Sequence, residues 1–139
     1  MPIYFHNEDI SFKINNKKEI SLWINCIGNK HKKKVADINL IFCSDNYLLS
    51  INNKYLNHNY YTDIISFDYS FNDSISGDIY ISIDRVKDNA IKNNLPFLDE
   101  IHRVIIHGVL HLCGFNDDSA KEKEEMRKLE NISLSLRNL

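Results

Sequence analysis

Residues 101–117, IHRVIIHGVLHLCGFND, decide how this chain of 139 residues is read. Val104, Ile105, Ile106, Val109, Leu110 and Leu112 make the segment apolar nearly all round, which predicts a helix that is itself buried. Pro96 opens that helix after a break. Asp99 and Glu100 sit in its first turn, where the macrodipole favours acids, and it runs to about Cys113 before Gly114 stops it.

Elements alternate on either side of this helix. Upstream, Ile3-Tyr4-Phe5 starts a strand. Residues 18–30 place Ile20, Trp23, Ile24 and Ile27 at helical spacing, with Gly28 or Asn29 as the stop. Residues 37–44 read as a buried strand, and Ser44 or Asp45 caps a helix running to about Tyr55. Residues 64–69 and 78–83 read as two strands joined by the loop SFNDSISG, consistent with a hairpin. Asp84 is expected to cap a helix over 85–94, and a last helix covers roughly 118–136. The order β-α-β-α-β-β-α-α-α predicts one α+β domain over residues 1–139, with α/β layering. A mixed sheet of about four strands is packed with about five helices.

Composition agrees with a folded core, since hydrophobic residues are 43% and 20 isoleucines and 15 aromatics are present. No run of 18 apolar residues is available to span a membrane. The charged first 20 residues do not read as a secretory signal. Cys26, Cys43 and Cys113 are therefore expected to be reduced thiols in a cytoplasmic protein, with Cys113 packed in the core. The net charge of −2 announces no nucleic-acid partner globally, but it is uneven: residues 1–60 balance at +3 and residues 61–139 at −5. The run His31-Lys32-Lys33-Lys34 is the most basic point, either a solvated turn or one wall of a phosphate-contacting surface.

The chemistry concentrates in residues 107–117. His107 and His111, four apart, fall on one helix face and can bind one metal ion, with a geometry suited to zinc. Gly114 can turn the chain back so that Asp117 returns as a third ligand, and Asp118 is the competing choice. The spacing is that of the metzincin zinc signature. His102 falls on another face and is expected at the surface. Three protein ligands leave a fourth position for a water that the metal would acidify. In zinc proteases of the H-E-x-x-H type position 108 would be the glutamate base; here it is Gly108, which argues against peptide hydrolysis. Accepting a glycine inside a helix suggests either room for a bulky group such as a phosphate beside the metal, or close packing against another element.

HGVLHLCGFND resembles the H-G-x-L-H-L-x-G-x-D-H motif of the YbeY family of bacterial metal-dependent endoribonucleases. INNKYLNHNYYTDIISF (51–67), SGDIYIS (76–82), Asp99-Glu100, and Met126 with Glu130 are similar to family positions as well, so that the resemblance covers about residues 37–132. It implies a zinc site in a mixed α/β domain. It also implies a basic cleft for single-stranded RNA, with rRNA processing at the small ribosomal subunit and its assembly factors. The metal ligands carried over are His107, His111 and residue 117. Three positions depart from the pattern: Asp117 stands for the third histidine, Asn116 for the preceding acid, and Leu56 for an arginine. Lys54, His58 or Arg103 are the nearby groups that could replace that arginine. Thr62, Asp63 and Ser66 match family positions and read as a turn entering a strand, with Asp63 alternatively orienting a ligand histidine. If RNA is the substrate, the +3 balance of the first 60 residues is where its contacts are expected.

The expected activity is thus that of a zinc-dependent, single-strand-specific endoribonuclease acting in maturation of the small-subunit rRNA 3′ end. A non-catalytic zinc-containing ribosome-assembly factor is the alternative, and a zinc peptidase a lesser one.

Overall fold

The computed structural model describes residues 2–139, so Met1 of the expected 1–139 domain lies outside the described residues. Among these, four strands and five helices follow in the order β1 (Ile3–Asn7), α1 (Lys17–Lys30), β2 (Lys34–Cys43), α2 (Asp45–Leu56), β3 (Ile64–Asp68), β4 (Ser74–Ser82), α3 (Ile83–Lys92), α4 (Phe97–Leu112) and α5 (Ala120–Ser135). The sheet order is β1-β2-β4-β3, parallel except for the antiparallel β3–β4 pair. This is the α+β domain with a mixed sheet that the alternation of elements implies.

Side-chain alternation splits the strands between two layers. Ile38, Leu40 and Phe42 of β2, with Ile75, Ile79 and Ile81 of β4, face a large core. Into it α1 sends Ile20, Trp23, Ile24 and Ile27, and α4 sends Ile101, Ile105 and Val109. Cys43 and Ile65 face the opposite side, where Leu48 and Ile51 of α2 cover them together with Tyr47, Phe67 and Tyr80. Helix α4 is the central one, and Ile101, Ile105, Ile106, Val109 and Leu110 are inaccessible to solvent. Cys113 is buried in the core as expected.

Several local expectations change. Strand β2 begins at Lys34 rather than 37 because Lys34 and Val35 already pair with Ser74 and Ile75, with a break in register before Ile38. Strand β4 extends back to Ser74, so much of the expected loop is strand, and left-handed Asn72 makes the turn. Helix α1 does not stop at Gly28 but runs on to Lys30, with left-handed Lys32 reversing the chain. Helix α3 starts at Ile83 because Ser82, not Asp84, accepts the Arg85 N–H; Asp84 instead accepts the Asp45 N–H at the start of α2. Ser119 and Glu122 form a reciprocal capping box at α5.

His102 is the clearest correction. It is only 6% exposed, not a surface residue, because α5 and the C-terminal residues fold over its face of α4. Its ring lies edge-on to Trp23 at 5.9 Å, and its Nδ1 accepts from Arg137 Nη1 at 2.9 Å. Burial, and then the Arg137 charge, lower its pKa from 6.5 to about 4. Between those values the unfolded chain binds more protons than the folded one, so this contribution is present above pH 6.5 and is lost as pH falls toward 4. Wild type minus His102→Phe, followed as melting temperature against pH, should therefore show a loss of about 2 kcal/mol on acidification, allowing for partial screening. A flat difference would contradict it.

Candidate metal centre

Helix α4 is held against the sheet by its one internal glycine. A Cβ on Gly108 would come within 2.9 Å of Ile64 Cδ1 and 3.0 Å of Ile79 Cδ1 and Cγ2. Of the two readings of Gly108 the structure thus selects close packing: the position faces β3 and β4 and leaves no space for a phosphate. For the same reason no side chain at 108 could serve as a base.

With α4 so seated, His107 and His111 emerge together at the mouth of a cleft of about 750 Å³. Their Nε2 atoms are 3.0 Å apart. Gly114, at φ 102°, turns the chain in the left-handed region, and its N–H and that of Phe115 bond back to the last turn of α4. Asp117 consequently returns to the pair, with carboxylate oxygens 3.3 Å from His107 Nε2 and 3.5 Å from His111 Nε2. Asp118 is exposed and lies outside this group. The three donor atoms of His107, His111 and Asp117 lie within 4.8 Å of one another and could hold a metal ion. The donor set of two imidazole nitrogens and one carboxylate oxygen fits a small divalent ion.

A residue that motif spacing did not single out for this role orients His107. Glu130 of α5, 5% exposed, accepts from His107 Nδ1 at 2.6 Å. Arg103 Nη1 donates to the other oxygen of Glu130 at 2.9 Å, and its Nη2 donates to Asn131. This chain fixes the tautomer of His107 and leaves Nε2 directed at the centre. Burial alone would lower the His107 pKa, but the Glu130 bond and charge, aided by Asp117 and Asp63, raise it above the ordinary range. Burial would raise the Glu130 carboxyl, yet the bonds from His107 and Arg103 hold it below the usual range. The signal in the sequence was an acid in register with Met126 and Ser133 on the buried face of α5, where acids are seldom unpaired.

The other expected residues are distributed unevenly. Asp63 lines the cleft, and burial raises its carboxyl despite the nearby His107 charge; it is Glu130 that makes the bond to the histidine. Thr62 does act locally, donating to the Ile64 carbonyl at the turn into β3. Leu56 and His58 line the cleft, whereas Lys54 Nζ lies over the Tyr55 ring and Arg103 sits in a smaller adjoining cavity, committed to Glu130.

The basic cleft implied by resemblance is not found. The described lining holds Asp63, Asp68 and Asp117 against Lys123 as its one lysine or arginine. No lysine of residues 1–60 lines it. The basic run 31–34 lies at the turn from α1 into the first residue of β2: Lys33 pairs with Asp73 at 3.7 Å, and His31 lies edge-on to Phe115 at 4.9 Å.

The comparisons agree on kinship. A chain named endoribonuclease YbeY from Cytophaga hutchinsonii is 52% identical over 136 residues, covering 97% of this chain and 95% of its own length. Similarly named proteins of Parabacteroides distasonis and Bacteroides fragilis are 46% and 44% identical, each over at least 96% of both chains. The solution structure of TM1509 from Thermotoga maritima shares the fold with a TM-score of 0.67 at 24% identity, over 96% of this chain and 87% of that one. The family model described as Endoribonuclease YbeY matches residues 3–137, a wider span than the 37–132 legible from motifs. By fold, motif and full-length kinship together, the chain belongs to the endoribonuclease YbeY family.

Proposed function

We propose that this protein is a zinc-dependent endoribonuclease that cleaves single-stranded RNA, acting on the 3′ end of small-subunit rRNA in the cytoplasm. The observation that carries the reading is the convergence of His107, His111 and Asp117 at the mouth of an open cleft, in a chain whose relatives are named endoribonucleases. His107, His111 and Asp117 would hold the ion, one per chain. When bound, zinc supplies Lewis-acid polarisation of a phosphoryl oxygen and activation of a water.

The chain's own residues do the rest. Glu130 accepts a hydrogen bond from His107 Nδ1–H, and Arg103 keeps Glu130 ionised and in place. Asp63, which lines the same cleft as His107, would be the group to hold or pass a proton. Lys123 is the cation available to a phosphate in the cleft. Gly108, packed against Ile79, leaves the centre without the base of a peptidase.

The test is cleavage of precursor small-subunit rRNA, and of an unstructured RNA, by the purified zinc-loaded chain. Cleavage should be lost on treatment with a chelator and restored by zinc. Identical products with and without chelator would overturn the reading. Zinc bound at full stoichiometry without cleavage would favour an assembly factor that carries zinc structurally.

A further inference from the structure

A strand held in this cleft meets few cations. Leu56 occupies the position where the resemblance expects an arginine, and three aspartates outnumber Lys123 in the lining. Away from the ion that His107, His111 and Asp117 would hold, attraction to phosphate in the described lining rests on Lys123, so retention of a strand gains from a contact that does not depend on charge. Resting on the endoribonuclease reading, we propose that Tyr60 and His58 form a stacking platform for an unpaired nucleobase, and that this pair sets the preference for single-stranded RNA.

Both residues line the same cleft as His107, His111 and Asp117. Their rings lie near-parallel, 21° apart with centroids at 5.1 Å, and Tyr60 Oη and His58 Nδ1 are joined at 3.0 Å. Tyr60 is nonetheless 56% exposed, and His58 is exposed too. The loop that carries them is fixed from beneath. Asn52, only 2% exposed, donates from Nδ2 to the Tyr60 carbonyl at 2.9 Å and accepts the His58 N–H on its own carbonyl at 3.1 Å. Left-handed Asn57 makes the turn between helix and loop. An exposed aromatic pair on a backbone tied to a buried asparagine costs little further ordering when a ligand binds.

The neighbouring aromatics Tyr55 and Tyr61 are also exposed but make other contacts. Tyr55 lies edge-on to Phe67, and Tyr61 packs against the Arg85 guanidinium while its hydroxyl reaches Asn46. Neither lines the cleft. A base within a duplex has both faces covered by its neighbours, whereas an unpaired base offers one to an aromatic ring whatever its identity. Stacking on Tyr60 and His58 would hold a strand by one base at the rim of the cleft, with selection for strandedness and little for sequence.

The experiment measures anisotropy of fluorescent oligouridine and oligoadenosine, of the same strands annealed to their complements, and of an abasic strand, titrated on ice with the zinc-loaded chain. Tyr60→Ala should bind both single strands about 10-fold more weakly. Tyr60→Trp should bind them at least as well as wild type, the abasic strand should not distinguish wild type from Tyr60→Ala, and duplex binding should be unchanged. Zinc content and melting temperature of each variant report that fold and centre are intact. Wild-type binding by Tyr60→Ala, or an equal loss for single strands and duplexes, overturns the proposal. So does a loss confined to binding of ribosomal subunits, which would place the pair at a protein contact. Zinc-dependent cleavage by wild type alongside unchanged binding by Tyr60→Ala removes this inference and leaves the endoribonuclease reading standing; a wild type that neither binds nor cleaves RNA removes both.

Discussion

His111→Ala should give a folded chain that no longer retains zinc. The side chain is 28% exposed at the cleft mouth and its Nε2 faces the other two donors, so its removal leaves the core intact and the donor set at two. Zinc affinity should fall by more than about 100-fold, beyond the loss expected for a residue that only orients a ligand. RNA cleavage should drop to the level of chelator-treated wild type. Asp117→Ala should behave in the same way, and Asp118→Ala should bind zinc as wild type does, because Asp118 is exposed and outside the donor group. Elemental analysis after gel filtration checks all three. Stoichiometric zinc in His111→Ala, or its loss in Asp118→Ala, would overturn the ligand assignment.

The second large effect belongs to Glu130. Its carboxylate sits between the His107 imidazole and the Arg103 guanidinium, and all three are at least largely buried. Truncation to alanine leaves a buried cation without its partner, and losses of this kind run to about 3–5 kcal/mol. The same change frees the His107 ring to rotate or change tautomer and should weaken zinc binding about 10–100-fold. Glu130→Gln keeps the volume and an acceptor for the Nδ1 hydrogen. It should recover most of the stability while remaining below wild type in zinc affinity, since a neutral amide raises the basicity of the imidazole less than a carboxylate does. Chemical denaturation and zinc competition measure the two effects separately. Equal zinc affinity in wild type and Glu130→Gln would reduce Glu130 to a packing role.

The two predictions differ in how far they could be read from the chain alone. His107, His111 and Gly114 are local: their offsets are fixed by helical geometry and by one left-handed turn, and the motif announces them. Glu130 is 23 residues from His107 and meets it only because α5 crosses α4. The helix ends behaved similarly. Of Ser44 and Asp45, the two caps the sequence offers for α2, Ser44 takes the role because it immediately precedes the helix and accepts the Tyr47 N–H. The capping role expected of Asp84 passed to Ser82, because pairing of β4 with β2 carries the strand to Ser82 and α3 begins at the next residue.

The sequence by itself determined the order of elements, the buried α4 and the histidine pair, since each depends on periodicity or on contacts within a few residues, whereas Asp117 rather than Asp118 beside that pair is a finding of the structure. Only the tertiary structure decided that His102 is buried, that Gly108 is filled by Ile79 and Ile64, and that the lysines of residues 1–60 stay out of the cleft. It likewise decided that His58 and Tyr60 share a cleft with His107, His111 and Asp117. These depend on which faces of distant segments meet when the layers close. That choice is made by packing of the whole core, and no local pattern encodes it.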